Sequence, residues 1–187
     1  MTISRLFLRL TIGGLFVGHG TQKLFGWFGG HGLDATAESF ERLGMKPGRP
    51  HALAAGLAEA GGGALLAAGY ATPVGAAALT ATMLTAIARV HAKNGPWAAN
   101  QGYEYNLVLI AAVLALAETG PGKPALGRGR SGPWWALAAL TAGPAGAAGA
   151  HYVAERGATE QFEADSAARV SVAEYAQHKQ HERRAAA

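Results

Sequence analysis

The sequence predicts an all-α polytopic membrane protein: a four-helix bundle with a short interfacial helix in its first loop, a candidate fifth span and a polar C-terminal tail. Three observations predict it. Half of the 187 residues are hydrophobic and only 15% are charged, against a usual charged share of about 25%. Eleven of the charged residues lie from Glu155 onward, so the chain before them is greasier than its average. Long apolar runs recur with no polar face at 3.6-residue spacing, which separates them from the helices of a soluble alanine-rich bundle.

The first run, Leu6 to Gln22, carries Arg5 and Arg9 at its front and is apolar on every side. Its Gly14 and Gly18 form a small-xxx-small pair suited to close helix approach. A signal peptide cleaved near Gly18-His19-Gly20 is the rival reading, set aside because further apolar runs follow. Leu33, Ala37, Phe40 and Leu43 then recur at helical spacing between Asp34, a candidate N-cap, and Gly44, a stop. That pattern predicts a short amphipathic helix at the interface. The second run, Ala52 to Tyr70, holds one charge, Glu59. Ala71-Thr72-Pro73 allows only a tight hairpin into the third run, Val74 to Ala88, which closes with Arg89 and His91. The fourth runs from Tyr105 to Ala117 and stops at Gly120-Pro121-Gly122. Each is somewhat short beside the roughly 20 residues that span a bilayer, but reaches the headgroups once its polar ends are included.

Residues 1–126 are thus expected to form the four-helix membrane domain. Residues 127–154 contain the uncharged stretch Trp134 to Tyr152, interrupted by Gly143-Pro144 but opened by a tryptophan pair suited to an interfacial belt. It is expected to associate with the membrane, as a fifth span in preference to a surface helix. Residues 155–187 mix charges with Gln and Ala and are expected as a polar tail, helical or disordered.

Several functions are excluded. The chain has no cysteine, so disulfides, thiolate metal sites and CxxC exchange are outside its own chemistry. The net charge of +4 comes from Lys and Arg scattered singly, not from a basic stripe interleaved with aromatics, so nucleic acid is not an expected partner.

Up-and-down alternation gathers the polar residues at one membrane face whichever way the chain is inserted. His19, Gln22, Lys23, Arg89, His91, Lys93, Asn94, Tyr103, Glu104 and Asn106 meet there, with Glu59 about 10 Å deeper at 1.5 Å per residue. A lone carboxylate in hydrocarbon is costly, so Glu59 is expected to be neutral, to face the bundle interior, or to pair with Arg89 or His19. Two readings of that pair stand side by side: a register-fixing ion pair, and a functional group. For His19 and His91, near the segment ends, an interfacial histidine satisfied by a headgroup, water or carbonyl is the stronger reading, and a haem held between them has no further motif. Lys23, Lys93 and Tyr103 read first as interfacial anchors. No metal site is expected. Arg5, Arg9, Lys123, Arg128 and Arg130 on one side nearly balance Lys23, Arg42, Lys46, Arg49, Arg89 and Lys93 on the other, so the cationic start alone favours a cytoplasmic N-terminus.

The run His19-Gly20-Thr21-Gln22-Lys23-Leu24-Phe25-Gly26-Trp27-Phe28-Gly29-Gly30, then Gly32-Leu33 with Phe40-Glu41, resembles the opening of the DoxX family of bacterial membrane proteins. Ala55-Gly56-Leu57-Ala58-Glu59 with Gly61-Gly62, the Thr72-Pro73 hairpin, His91 with Asn94-Gly95 and Trp97, and Gly102-Tyr103-Glu104-Tyr105-Asn106 extend the resemblance across roughly residues 4–126. It implies a four-helix bundle in the bacterial cytoplasmic membrane, similar to small subunits associated with thiosulfate:quinone oxidoreductase or with assemblies handling sulfur species and oxidative stress.

Three functions follow as expectations. The first is a quinone-linked membrane subunit, with Glu59, His19, Arg89, His91 and Glu104 assisting proton uptake and His19, Lys23, Glu59, Arg89, His91, Tyr103 and Asn106 binding the headgroup. No covalent cofactor is expected. The second is a non-catalytic anchor for a soluble redox or sulfur-handling enzyme, docked through the tail or the loop from Trp27 to Pro50. The third is a small-solute or proton carrier using the same carboxylate. Membrane lipids are expected partners in all three, and a homo-oligomer is compatible with each.

Overall fold

The computed structural model describes residues 2–127 and 130–185, all of whose regular elements are helical. Arg128, counted above among the basic residues of one face, lies outside the described residues, as do the last two residues of the tail. Helix α1 spans Thr2–Phe25, α2 Gly32–Arg42, α3 Gly48–Ala68, α4 Thr72–Ala86, α5 Glu104–Thr119 and α6 Pro133–Ala185. Helices α1, α3, α4 and α5 enclose the core, in which Ile12, Phe16, Leu66, Leu79, Val113 and Leu116 are buried together. Neighbours run α1–α3–α4–α5, the α1–α5 contact is sparse, α2 lies on α3, and α6 packs on the outside of α4 and α5.

Glycines set the closeness of the central pair, but not the two expected. Beside Gly14 and Gly18 there is open space, because they face outward. Instead a Cβ on Gly13 would lie 2.5 Å from the Gly63 carbonyl oxygen, and one on Gly20 2.6 Å from that of Gly56. The two crossing points are seven residues apart in each helix, so α1 and α3 touch backbone to backbone over two turns. The same device joins α3 to α4 at Gly62 and Gly75.

Arg9, expected at the front of a span, is 3% exposed. Its guanidinium donates to the carbonyls of Ala67, at 2.6 Å, and of Pro124, while Arg5 donates to the Thr119 carbonyl. Antiparallel neighbours end where α1 begins, so these arginines satisfy carbonyls that α3 and α5 leave without a helical partner.

In α2 the expected N-cap, Asp34, sits inside the first turn. The cap position is His31, and Asp34 pairs with Arg49. The expected hairpin is present: Gly69 closes α3 in the left-handed region and Ala71 leads into α4. Past Ala86, α4 widens into a π turn over Ile87–His91 and tightens into a 3-10 turn over Ala92–Asn94.

Gly143-Pro144 does not interrupt α6, which runs on past residue 154 into the polar tail. Ala139, Ala147 and Ala154 are buried on one face of the helix, where a Cβ on Gly143 would meet Thr80 of α4 and one on Gly157 would collide with the Lys46 carbonyl. Small residues at that spacing let α6 lie close along the bundle, and this contact outweighs the hydrogen bond Pro144 removes. From Pro133 to Gly157 the helix rises about 37 Å, and the residues from 158 to 185 carry it about 42 Å further.

The outward faces are apolar: Phe7 is 73% exposed, Leu57 57%, Val74 61% and Val108 62%. Among the described residues one helical stretch, Thr72–Asn94, is by itself long and apolar enough to cross a membrane.

Candidate functional site

The one charge of the second apolar run meets neither expected partner. Lys23 Nζ donates to Glu59 Oε2 at 2.5 Å, with the Lys23 side chain 26% exposed and that of Glu59 7%. Side chains lean toward the N-terminus of their own helix. In the antiparallel α1–α3 pair the two therefore lean toward each other, three residues beyond the Gly20 and Gly56 close approach. Arg89 and His19, expected to hold Glu59, make no ion pair with it.

Beside the pair a cavity of about 280 Å³ is lined by His19, Lys23, Glu59, His91, Asn106 and Tyr105, with Leu15, Phe16, Met83, Ala86 and Leu109 forming apolar walls. Five of the expected residues thus come together: His19, Lys23, Glu59, His91 and Asn106. Leu15 of α1 and Tyr105 of α5 are half exposed at its rim, so the cavity opens sideways where these helices touch little. His19 Nδ1 lies 3.1 Å from Gln22 Oε1, and the buried Asn106 turns its Nδ2 to Met83 Sδ at 3.4 Å.

The π turn brings His91 to this cavity. In regular α-helix a residue five positions on lies about 140° around the axis. The wider turn stacks residues five apart more nearly in line, so His91 returns beneath Ala86. Its Nδ1 is 2.8 Å from the Gln101 carbonyl, which holds the ring.

Arg89, Tyr103 and Glu104 do not line this cavity. Arg89 points to the loop before α3: a Cβ on Gly44 would lie 3.7 Å from its Nη1. Its Nε and Nη2 are buried without hydrogen-bond partners. His51, just ahead of the second apolar run, feels this cation. Burial first, then Arg89, push its pKa below the usual imidazole value, partly offset by a hydrogen bond with the Lys46 backbone. Glu104 begins α5, its N–H donating to the Pro96 carbonyl at 2.8 Å. Tyr105 and Met83 are lining residues that sequence reasoning missed. Tyr105 adjoins Asn106, the signal that could have found it, whereas Met83 reads as plain core.

A second, smaller cavity of about 220 Å³ also borders Lys23 and is lined by Gln22, Lys23, Gly29, Gly30, His31 and Thr36. Its wall is the loop after α1, folded back so that Gln22 Nε2 donates to the Phe28 carbonyl at 3.2 Å. Phe28 holds a left-handed conformation there, φ 53° and ψ 37°. A Cβ on Gly30 would be 2.5 Å from Gln22 Cα, so only glycine permits this fit. Among the described residues no group of three or more acidic or histidine side chains is arranged to hold a metal.

One protein family, DoxX, matches the chain, over residues 4–92. No curated protein and no solved structure matches it.

Proposed function

We propose that this chain, a DoxX family member and membrane protein by the match over residues 4–92, is a multi-pass protein of the bacterial cytoplasmic membrane, N-terminus inside, whose α1–α3–α4–α5 bundle binds a quinone headgroup for a redox partner. The observation that carries this reading is the sideways-opening cavity with apolar walls and a polar inner end made by Lys23–Glu59, His19, His91 and Asn106. Leu15, Phe16 and Leu109 suit a ring and its hydrocarbon tail arriving through lipid. The two histidines and the Asn106 amide are the donors for carbonyl oxygens. A quinone supplies a two-electron, two-proton couple, its electrons coming from a reduced soluble partner enzyme. Lys23 is the proton donor at the inner end, and Glu59 neutralises it at rest and holds it there.

Titration of the detergent-purified protein with a short-tailed quinone analogue tests this. Saturable binding is expected, and Asn106→Leu should weaken it about tenfold, the equivalent of one hydrogen bond at ~1.4 kcal/mol. A folded protein that neither binds the analogue nor carries quinone on extraction would sink the reading. A second reading, an anchor for a soluble enzyme, is favoured by α6, which leaves Phe162, Val170, Val172 and Tyr175 exposed beyond the bundle on the cavity side. It would gain if the quinone-free protein retained a partner that removal of residues 158–187 released.

The proposed topology has its own test, made simple by the absence of cysteine. Glu38→Cys and Ala98→Cys should react with a membrane-impermeant thiol reagent from the same side of sealed vesicles, and Ser131→Cys from the other. Labelling of the first two from opposite sides contradicts the bundle order.

A further inference from the structure

Lys23 borders two cavities of different character. The inner one, beside Glu59, has apolar sides and opens between α1 and α5. The outer one is lined by Gln22, His31, Thr36 and the glycines of the folded-back loop, at the end of the bundle where α1 stops. Lys23 borders both and is 26% exposed, whereas Glu59 borders only the inner one and is 7% exposed. A second link joins the two: Gln22, in the outer cavity, is hydrogen-bonded to His19, in the inner one.

We infer that the outer cavity is the aqueous entrance to the buried pair, through which Lys23 exchanges protons with water, while the lipid-soluble ligand uses the separate opening between α1 and α5. An ammonium that borders both cavities meets water from the outer one and the carboxylate at the inner one, so it carries a proton across without opening the apolar chamber. Separate entrances keep bulk water away from the reacting ring while protons still arrive. This deepens the quinone reading and rests on it for the use of the protons. The access route itself concerns Lys23 alone.

The test uses the full-length protein in detergent. Thr36→Cys is capped with a charged thiosulfonate reagent to fill the outer cavity, and reductive methylation of each lysine is followed by peptide mass spectrometry. The uncapped variant should methylate Lys23 at the wild-type rate. Capping should slow Lys23 at least about tenfold, a barrier rise of ~1.4 kcal/mol, and leave Lys93 and Lys179 unchanged. His31→Cys, capped from another wall of the same cavity, should reproduce the effect and serves if Thr36→Cys disturbs folding. Lys23 methylation that ignores both caps overturns the inference. Failure of quinone to bind removes the functional reading but leaves the capping result to decide the entrance.

Discussion

Lys23→Met is expected to destabilise the protein by about 3 kcal/mol, the lower end of what breaking a buried ion pair costs, because the ammonium is partly exposed while Glu59 is not. Methionine keeps most of the stem that packs along α1, so the loss reports a carboxylate left without its cation in an apolar surround. Glu59→Gln should cost less, since an amide tolerates burial better than an unpaired charge. The double variant should recover much of the Lys23→Met loss. Denaturant midpoints of the four proteins in one detergent close the cycle. Coupling near zero would show that the pair does not hold α1 to α3. Ligand binding measured on the same proteins separates the two readings of Glu59: lost binding at preserved stability in Glu59→Gln marks a functional group, and the reverse a register-fixing one.

A larger effect is expected at the α1–α3 crossings. A Cβ on Gly63 would lie 2.6 Å from the Gly13 carbonyl oxygen, 2.8 Å from Val17 N and 2.9 Å from Phe16 Cβ. Backbone cannot step aside as a side-chain end can. Gly63→Val should therefore exceed the 1–3 kcal/mol usual for overpacking, and we expect loss of assembled protein from membranes. Gly14→Ala and Gly61→Ala are the controls. Both positions face open space, and alanine favours helix over glycine, so neither should lower yield or thermal stability. Equal losses at Gly61 and Gly63 would mean that glycine content, not the crossing geometry, matters. Because Gly20 and Gly56 also set the spacing at which Lys23 reaches Glu59, Gly20→Val should impair both assembly and the ion pair.

Particular residues show how far the sequence could be read. Apolar runs without a polar face were enough for α1, α3, α4 and α5, because a helix greasy on every side leaves no other period to fit. Alternation brought His19, Lys23, Glu59, His91 and Asn106 to one end, since that needs only their distance from the helix ends. It also swept in Arg89, Tyr103 and Glu104, which share that end but not the cavity. Composition likewise misjudged α6: Gly143-Pro144 reads as a breaker in isolation, and its small residues gain their meaning only against Thr80 and Ala81 of α4.

All-helical character and the places of α1, α3, α4 and α5 along the chain were legible in the sequence alone, because they depend on hydrophobicity and helical period, both local properties. Which face each residue occupies was decided only by the tertiary structure. Gly13 and Gly20, rather than Gly14 and Gly18, meet α3 because the rotation of one helix about its axis is set by its neighbour's shape. Lys23, rather than Arg89, holds Glu59 because the antiparallel lean of two side chains acts between helices, across a distance that no single segment encodes.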